Sequence, residues 1–291
     1  MLMRPLEILV IGGNSQIGSS LLSNKKFKKF NLISTSRKTS GGNIFFDLSQ
    51  PDYSQFIKAS SDVAIILAGI TNIANCQSNP EYSNLVNVEN TINLIRKLVN
   101  DGAFVVYLSS AAVYDGASKN TGELQPVSPN TLYGAQKSSV ENVIINTPIL
   151  SSRVAILRPT KILSKGNLFF FRCLMDLKNK EKIQMLEDYY FSPITMEYTL
   201  TAIFHLIHLK TGGIFHVSSN ENISYFNFFK RVAVDVGVNS ELVLPISKLT
   251  SGKTFLNQGK FPRLSMPRTT EMLGIYPQKI SDVIKEFVYE Y

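Results

Sequence analysis

Leu6-Glu7-Ile8-Leu9-Val10-Ile11 runs into Gly12-Gly13-Asn14-Ser15-Gln16-Ile17-Gly18, and then into helical sequence from Ser19 to Leu22. The first six residues form a short apolar run of the kind that builds a strand buried on both faces. Glycines at such a junction let the backbone turn tightly and approach a pyrophosphate. The helix N-terminus that follows supplies N–H donors and the positive end of a dipole. The stretch therefore predicts the opening unit of a parallel sheet with a dinucleotide at its edge. A plain strand-to-helix turn is the alternative, and the position of the turn at the first such junction weighs against it.

The segments that follow repeat the alternation. A second strand is predicted over Asn31 to Thr35, ending in Ser36-Arg37-Lys38 where a dinucleotide site for NAD carries an acid. A Ser-Arg pair suits a ribose 2′-phosphate, which favours NADP over NAD, with two ordinary loop charges as the alternative. Asn43-Ile44-Phe45-Phe46 reads as a third strand, and Asp47-Leu48 after it are placed beside the adenine. A helix around Asp52 to Ala59 leads to a fourth strand, Val63 to Ala68. Gly69-Ile70-Thr71 then opens a loop toward the nicotinamide end of the cofactor. Pro80 to Asn100 reads as one helix, with Leu85, Val88, Ile92, Ile95 and Leu98 at core-facing spacing. Ala103 to Leu108 is a fifth strand. Strands alternating with helices predict right-handed crossovers and an α/β fold, a Rossmann-type doubly wound parallel sheet. Ligands in such sheets bind beyond the carboxyl ends of the strands. Ser109 and Ser110 stand just past that end of the fifth strand, where they face the same crevice as the glycine turn.

Composition sets the class. With 44% hydrophobic and 18% charged residues, the 291-residue chain is ordinary for a globular protein with a sizeable core. A net charge of +8 suits an anionic ligand such as a nucleotide. The basic residues are spread out, and the densest cluster, Lys25, Lys26, Lys28 and Lys29, reads as a solvated turn, so no nucleic-acid partner is expected. Cys76 and Cys173 have no metal-ligand spacing and suggest no disulfide, which implies a reduced, cytoplasmic setting. No signal-peptide layout is seen and no apolar run is long enough for a bilayer, so no membrane insertion is expected. His205, His208 and His216 lack partners at metal spacing.

Tyr133-Gly134-Ala135-Gln136-Lys137 carries the chemistry that this frame needs. A tyrosine and a lysine four apart share one helix face. A nearby ammonium favours a phenolate, so the pair can exchange a proton with a carbonyl or alcohol. Alone, the spacing is equally that of a packed aromatic and a snorkelling lysine. The glycine turn and Ser110 supply the cofactor site and the third polar group that turn it into a site.

These motifs together resemble the extended short-chain dehydrogenase/reductase family, which includes NAD-dependent epimerases and dehydratases. The glycine turn resembles T-G-x-x-G-x-x-G. Cys76 to Pro80 and Val86-Asn87-Val88-Glu89-Asn90-Thr91 resemble C-x-x-x-P and V-N-V-x-G-T. Ser109 to Tyr114 resembles S-S-x-x-V-Y-G, Pro126 to Lys137 resembles P-x-x-P-x-x-x-Y-G-x-S-K, and Leu157-Arg158-Pro159 resembles L-R-P. Ser192 to Thr195, Gly213 to Ser218, Pro262 to Ser265 and Leu273-Gly274 resemble segments of the dTDP-4-dehydrorhamnose reductase-like group. Departures are Ser15 at the middle glycine, Lys161 where Asn is frequent, Lys165-Gly166 in place of G-P-G, and Met266-Pro267 where Leu-Asp is expected. Ala111-Ala112 replaces the Asp-Glu that resembles a dehydratase site, which argues against dehydration.

The resemblance implies NADPH-dependent reduction of the 4-keto group of a nucleotide-linked deoxysugar, in polysaccharide biosynthesis. Ser110, Tyr133 and Lys137 are its catalytic residues: Ser110 holds the substrate oxygen, Tyr133 protonates it, and Lys137 binds the nicotinamide ribose and lowers the tyrosine pKa. Gly12, Asn14, Gln16, Ile17, Ser36, Arg37, Asp47, Leu48, Ala68, Thr71, Asn87 and Pro159 join Tyr133 and Lys137 as cofactor contacts. Ser110, Lys161 and Arg263 contact substrate, and Lys165, Arg172 and Lys253 are further basic candidates for its diphosphate. No metal is implied, and a homodimer is an expectation. A nucleotide-sugar 4-epimerase and a non-catalytic NADP-binding regulatory subunit of the same fold are the rival functions. The expected organisation is a cofactor lobe over residues 1–160, with 195–218 returning to its sheet, and a substrate lobe over 161–194 and 219–291.

Overall fold

The apolar run before the glycine turn becomes β1 (Glu7–Ile11), whose last four residues are fully buried. The structure is a computed structural model, described for residues 4–38, 43–56, 61–164, 166–251 and 259–290. After β1 come α1 (Gln16–Ser23), β2 (Asn31–Ser36), β3 (Ile44–Phe45), β4 (Val63–Ile66) and α2 (Ile73–Ser78). The chain continues through α3 (Pro80–Asn84), α4 (Thr91–Asn100), β5 (Phe104–Leu108), α5 (Leu132–Asn146), α6 (Pro148–Arg153) and β6 (Val154–Pro159). Next are β7 (Lys161–Leu163), α7 (Leu168–Lys178), β8 (Ile183–Leu186), β9 (Tyr190–Phe191), β10 (Pro193–Thr195), α8 (Met196–Leu209) and β11 (Gly213–Val217). The chain ends with β12 (Ile223–Ser224), α9 (Tyr225–Val236), β13 (Val243–Ile246), α10 (Pro267–Leu273) and α11 (Ile280–Glu290).

The central sheet has the order β11-β6-β5-β4-β1-β2-β3. β1 pairs in parallel with β2 and β4, β2 with β3, β4 with β5, and β5 with β6. The order reverses between β1 and β4, the switch point at which doubly wound sheets open a crevice. The α/β fold read from the alternating segments is therefore the fold of the chain. Among the described residues, no helix is long and apolar enough to cross a membrane.

Two local readings need correction. The helix expected around Asp52 to Ala59 starts as a short 3₁₀ turn, Tyr53–Phe56, and residues 57–60 lie outside the described ones. Pro80 to Asn100 is not one regular helix: a π-helical turn over Leu85–Asn90 separates α3 from α4. The wider turn rotates the buried face, as π-turns do. Leu85 is thus 36% exposed, while Val86, Asn87, Asn90 and Thr91 are buried.

The chain divides into two compact units. The first comprises Met1–Val113, Val127–Arg158 and Leu200–Phe215, and holds a core of Leu9, Ile11, Ile66, Leu94, Val105 and Ile156 with their neighbours. The second comprises Tyr114–Pro126, Pro159–Thr199 and His216–Tyr291. Its core is aromatic, built on Phe170, Phe191, Phe228, Phe229 and Phe287. Phe170 stacks on Phe229 with ring centres 5.6 Å apart, and Phe191 on Tyr225 at 4.3 Å. The Phe169-Phe170-Phe171 run thus contributes Phe170 to the core and leaves Phe169 and Phe171 partly exposed.

Candidate active site

The glycine turn folds as its composition demands. Gly12 has φ +94°, and a Cβ on it would lie 2.9 Å from the Ala68 backbone nitrogen. Both the left-handed conformation and the close approach require glycine. Ser15, in place of the usual middle glycine, is the N-cap of α1 in ordinary extended conformation, and its hydroxyl accepts from Gly18 N at 3.0 Å. A glycine is not needed there.

Beyond the carboxyl ends of β1, β2 and β4 lies a cleft of about 410 Å³. Of the residues expected at the cofactor, it brings together Gly12, Asn14, Ser36, Arg37, Asp47, Leu48 and Ala68. Gln16 and Ile17 are in the first turn of α1, and Thr71 is exposed in the loop before α2; none of the three lines the cleft. Asn87 does not line it either. Its side chain is committed to Ile70, accepting from Ile70 N at 2.8 Å and donating to Ile70 O at 2.9 Å, and Ile70 is part of the cleft wall. Thr35, Lys38 and Ile70 also line the cleft, although the sequence did not mark them as cofactor contacts. Thr35 Oγ1 is buried there with no hydrogen-bond partner. A buried hydroxyl without a partner, two cations at the end of β2 and a tight turn before a helix N-terminus fit a phosphorylated dinucleotide.

Ser110 follows β5, and its hydroxyl accepts from Ala112 N at 3.1 Å. Tyr133 is in the first turn of α5, which Thr131 caps by accepting from Gly134 N at 3.1 Å. A Cβ on Gly134 would stand 2.0 Å from the Ala112 carbonyl oxygen, so only glycine lets α5 sit on the Ala111–Val113 turn. That contact sets Tyr133 beside Ser110, whose hydroxyl is near enough to act on the phenol. Tyr133 is 8% exposed. Burial pushes its phenol up to about 12, the Ser110 hydroxyl works against this, and the Cys76 thiol adds to it. The phenol is therefore held protonated at neutral pH, the form a proton donor needs.

Lys137, one turn on, donates from Nζ to Leu108 O at 2.9 Å and lies 5.9 Å from the Tyr133 ring centre. Burial draws its ammonium down to about 8, opposed by Glu141 and Cys76. Burial is the largest influence on the Tyr133 phenol and acts upward, and burial also weakens the charge of Lys137. One further turn along, Glu141 pairs with Arg158, accepting from Nε at 3.0 Å, and also accepts from Ser109. Glu141, Arg158, Gln136 and Cys76 were not picked out as site residues. The signal for Glu141 was present, since 133, 137 and 141 continue one helical face.

The remaining expected residues belong to the second unit. Pro159 ends β6, and Lys161 opens β7, opposite Pro193 of β10. Arg263 donates to Asn120 Oδ1 at 3.2 Å, and its backbone N–H donates to Asn222 Oδ1 at 2.7 Å. Arg172 is exposed on α7. Lys165 and Lys253 lie outside the described residues. His216 is buried, with Nδ1 2.8 Å from Ser265 O, and His208 Nδ1 is 2.8 Å from Phe204 O. Among the described residues, no group of three or more His, Cys, Asp or Glu is placed to hold a metal.

Residues 6–291 match the family described as RmlD substrate binding domain. A dTDP-4-dehydrorhamnose reductase of Escherichia coli is 24% identical over 209 residues, 68% of this chain and 67% of that protein. Methionine adenosyltransferase 2 subunit beta of Xenopus tropicalis is 36% identical over 70 residues. That match spans only 24% of this chain and 21% of the frog protein. The crystal structure of dTDP-4-dehydrorhamnose reductase from Bacillus anthracis in complex with NADP superposes with a TM-score of 0.82 at 21% identity, covering 99% of this chain and all of that one. At that identity the likeness is one of fold.

Proposed function

The chain belongs to the RmlD substrate binding domain family, and from that premise we propose that it is an NADPH-dependent reductase of a nucleotide-linked 4-keto deoxysugar. The observation that carries the proposal is the buried Tyr133 phenol beside Ser110 just past the end of β5, with Lys137 one helical turn away. It combines a protonated acid, an oxygen-binding hydroxyl and a buried cation, which are the groups needed where a carbonyl becomes an alcohol.

In this proposal Gly12 and Asn14 receive the pyrophosphate at the N-terminus of α1, with the first-turn residues Gln16 and Ile17. Ser36 and Arg37 take the 2′-phosphate, and Asp47 and Leu48 flank the adenine. Ala68, Thr71 and Pro159 bound the nicotinamide end, where Asn87 acts at one remove by holding Ile70. NADPH, once bound, supplies the hydride. Ser110 hydrogen-bonds the carbonyl oxygen and holds it against Tyr133. Tyr133 gives its proton to that oxygen as negative charge develops, because an alkoxide is far more basic than a phenolate even at a raised phenol pKa. Lys137 clamps the ribose hydroxyls. Lys161 and Arg263 are the proposed contacts for the substrate's diphosphate. The setting we propose is cytoplasmic, with Cys76 and Cys173 reduced; both are free and buried.

The test mixes the purified protein with NADPH and dTDP-, UDP- and GDP-linked 4-keto sugars while the nicotinamide absorbance is followed. Loss of absorbance with one of them is expected. Tight NADPH binding with no oxidation by any sugar would instead favour a binding subunit, and isomerisation without net oxidation would favour an epimerase.

A further inference from the structure

Gln136 is buried beside Lys137, 2% exposed, and the chemistry above gives it no task. The motif that this stretch resembles carries serine at that place. The amide is engaged at both atoms. Gln136 Oε1 accepts from Asn87 Nδ2 at 2.8 Å, and Gln136 Nε2 donates to Ser83 Oγ at 2.8 Å. Ser83 in turn lies 3.0 Å from Pro80 O and 3.2 Å from Cys76 O, so the link reaches the start of α3 and the end of α2. A serine side chain is too short, and has too few polar atoms, to span both partners.

The other end of this link is the cleft. Asn87 sits in the π-helical turn and holds both backbone groups of Ile70. Gly69 and Ile70 line the cleft, and a Cβ on Gly69 would come 3.1 Å from Asn87 Oδ1, so the amide lies directly under that wall. Asn87 Nδ2 has Ile70 O and Gln136 Oε1 as its oxygen acceptors; without Gln136, its second hydrogen has only the weak Cys76 Sγ acceptor, at 3.7 Å. A buried donor without a partner favours a different amide orientation, and a turned amide releases Ile70.

We infer that Gln136 is a positioning residue for the cofactor: by pinning the Asn87 amide it fixes the Gly69–Ile70 wall of the cleft. Dinucleotide affinity is thereby tied to the helix that carries Tyr133 and Lys137. The inference rests on the reading that the cleft holds NADPH.

NADPH is titrated by its fluorescence into the wild type, Gln136→Leu, Asn87→Ala and the double variant, with Gln136→Ser as a milder change should the leucine variant fold poorly. Gln136→Leu is expected to weaken Kd about tenfold and Gln136→Ser to shift it in the same direction. On the Asn87→Ala background, Gln136→Leu should add less than about twofold, because its route to the cleft is already cut. Wild-type Kd in both Gln136 variants would overturn the inference even if their melting temperatures fall. So would an equal loss on both backgrounds. A wild type that binds no NADPH would overturn the cofactor reading itself, and the inference with it.

Discussion

Glu141 and Arg158 form an ion pair in which each side chain is 1% exposed. It joins α5 to β6 beneath the proposed site, with Ser109 as a third member. A buried pair is weak as a source of stability but costly to halve, because the remaining charge has no partner. Glu141→Gln or Arg158→Met alone should lower unfolding free energy by about 3–5 kcal/mol, whereas a joint replacement by apolar residues of similar volume should cost much less. Denaturant midpoints of the two single variants and the double variant check this.

Gly134→Ala puts a methyl group into the Ala112 carbonyl. Both partners are backbone, so α5 must move off the Ala111–Val113 turn and carry Tyr133 away from Ser110. We expect a stability loss of about 1–3 kcal/mol or more, together with a fall in kcat. Melting temperature and initial rates measured on one preparation separate the two effects.

The Lys137 ammonium is drawn from its ordinary 10.5 down to about 8 by burial. Between those values the unfolded chain binds a proton that the folded chain does not, so this group makes stability rise with pH across that window. Below about pH 8 both states are protonated and the full cost of the buried charge is present. Lys137→Met should therefore gain most on wild type near pH 7 and lose that advantage toward pH 10. Tyr133 acts oppositely, since its raised pKa lowers stability only above pH 10. Thermal melts of both proteins at pH 7 and pH 10 test the sign.

Arg37→Ala should cost NADPH about 10–100-fold in affinity and leave NADH almost unchanged, since only the 2′-phosphate contact is lost. Fluorescence titration with both nucleotides measures the ratio. Equal effects on both would move Arg37 away from the phosphate.

Local signals carried much of this molecule in its sequence. Ile8 to Ile11 and Val63 to Ile66 are short apolar runs of the kind that build buried strands, and the glycine turn is fixed by backbone geometry at Gly12. Tyr133 and Lys137 share a helix face by spacing alone. What was not legible depends on partners distant in the chain. Gln136 looks like a polar surface residue until Asn87 and Ser83 are brought to it. Glu141 looks solvated until Arg158 arrives from the next strand. The π-turn at Leu85–Asn90 defeated a strict 3.6-residue period, which is why Leu85 was placed in the core and Val86 was not.

The central claim is that Tyr133 is the proton donor. Tyr133→Phe keeps the ring and its packing and removes only the acidic hydroxyl. Turnover of the accepted keto sugar should fall by a factor of about 10²–10⁴ or more, while the NADPH Kd stays within about threefold of wild type. A Tyr133→Phe enzyme that retains kcat within a few-fold of wild type would contradict the account and place the acid elsewhere.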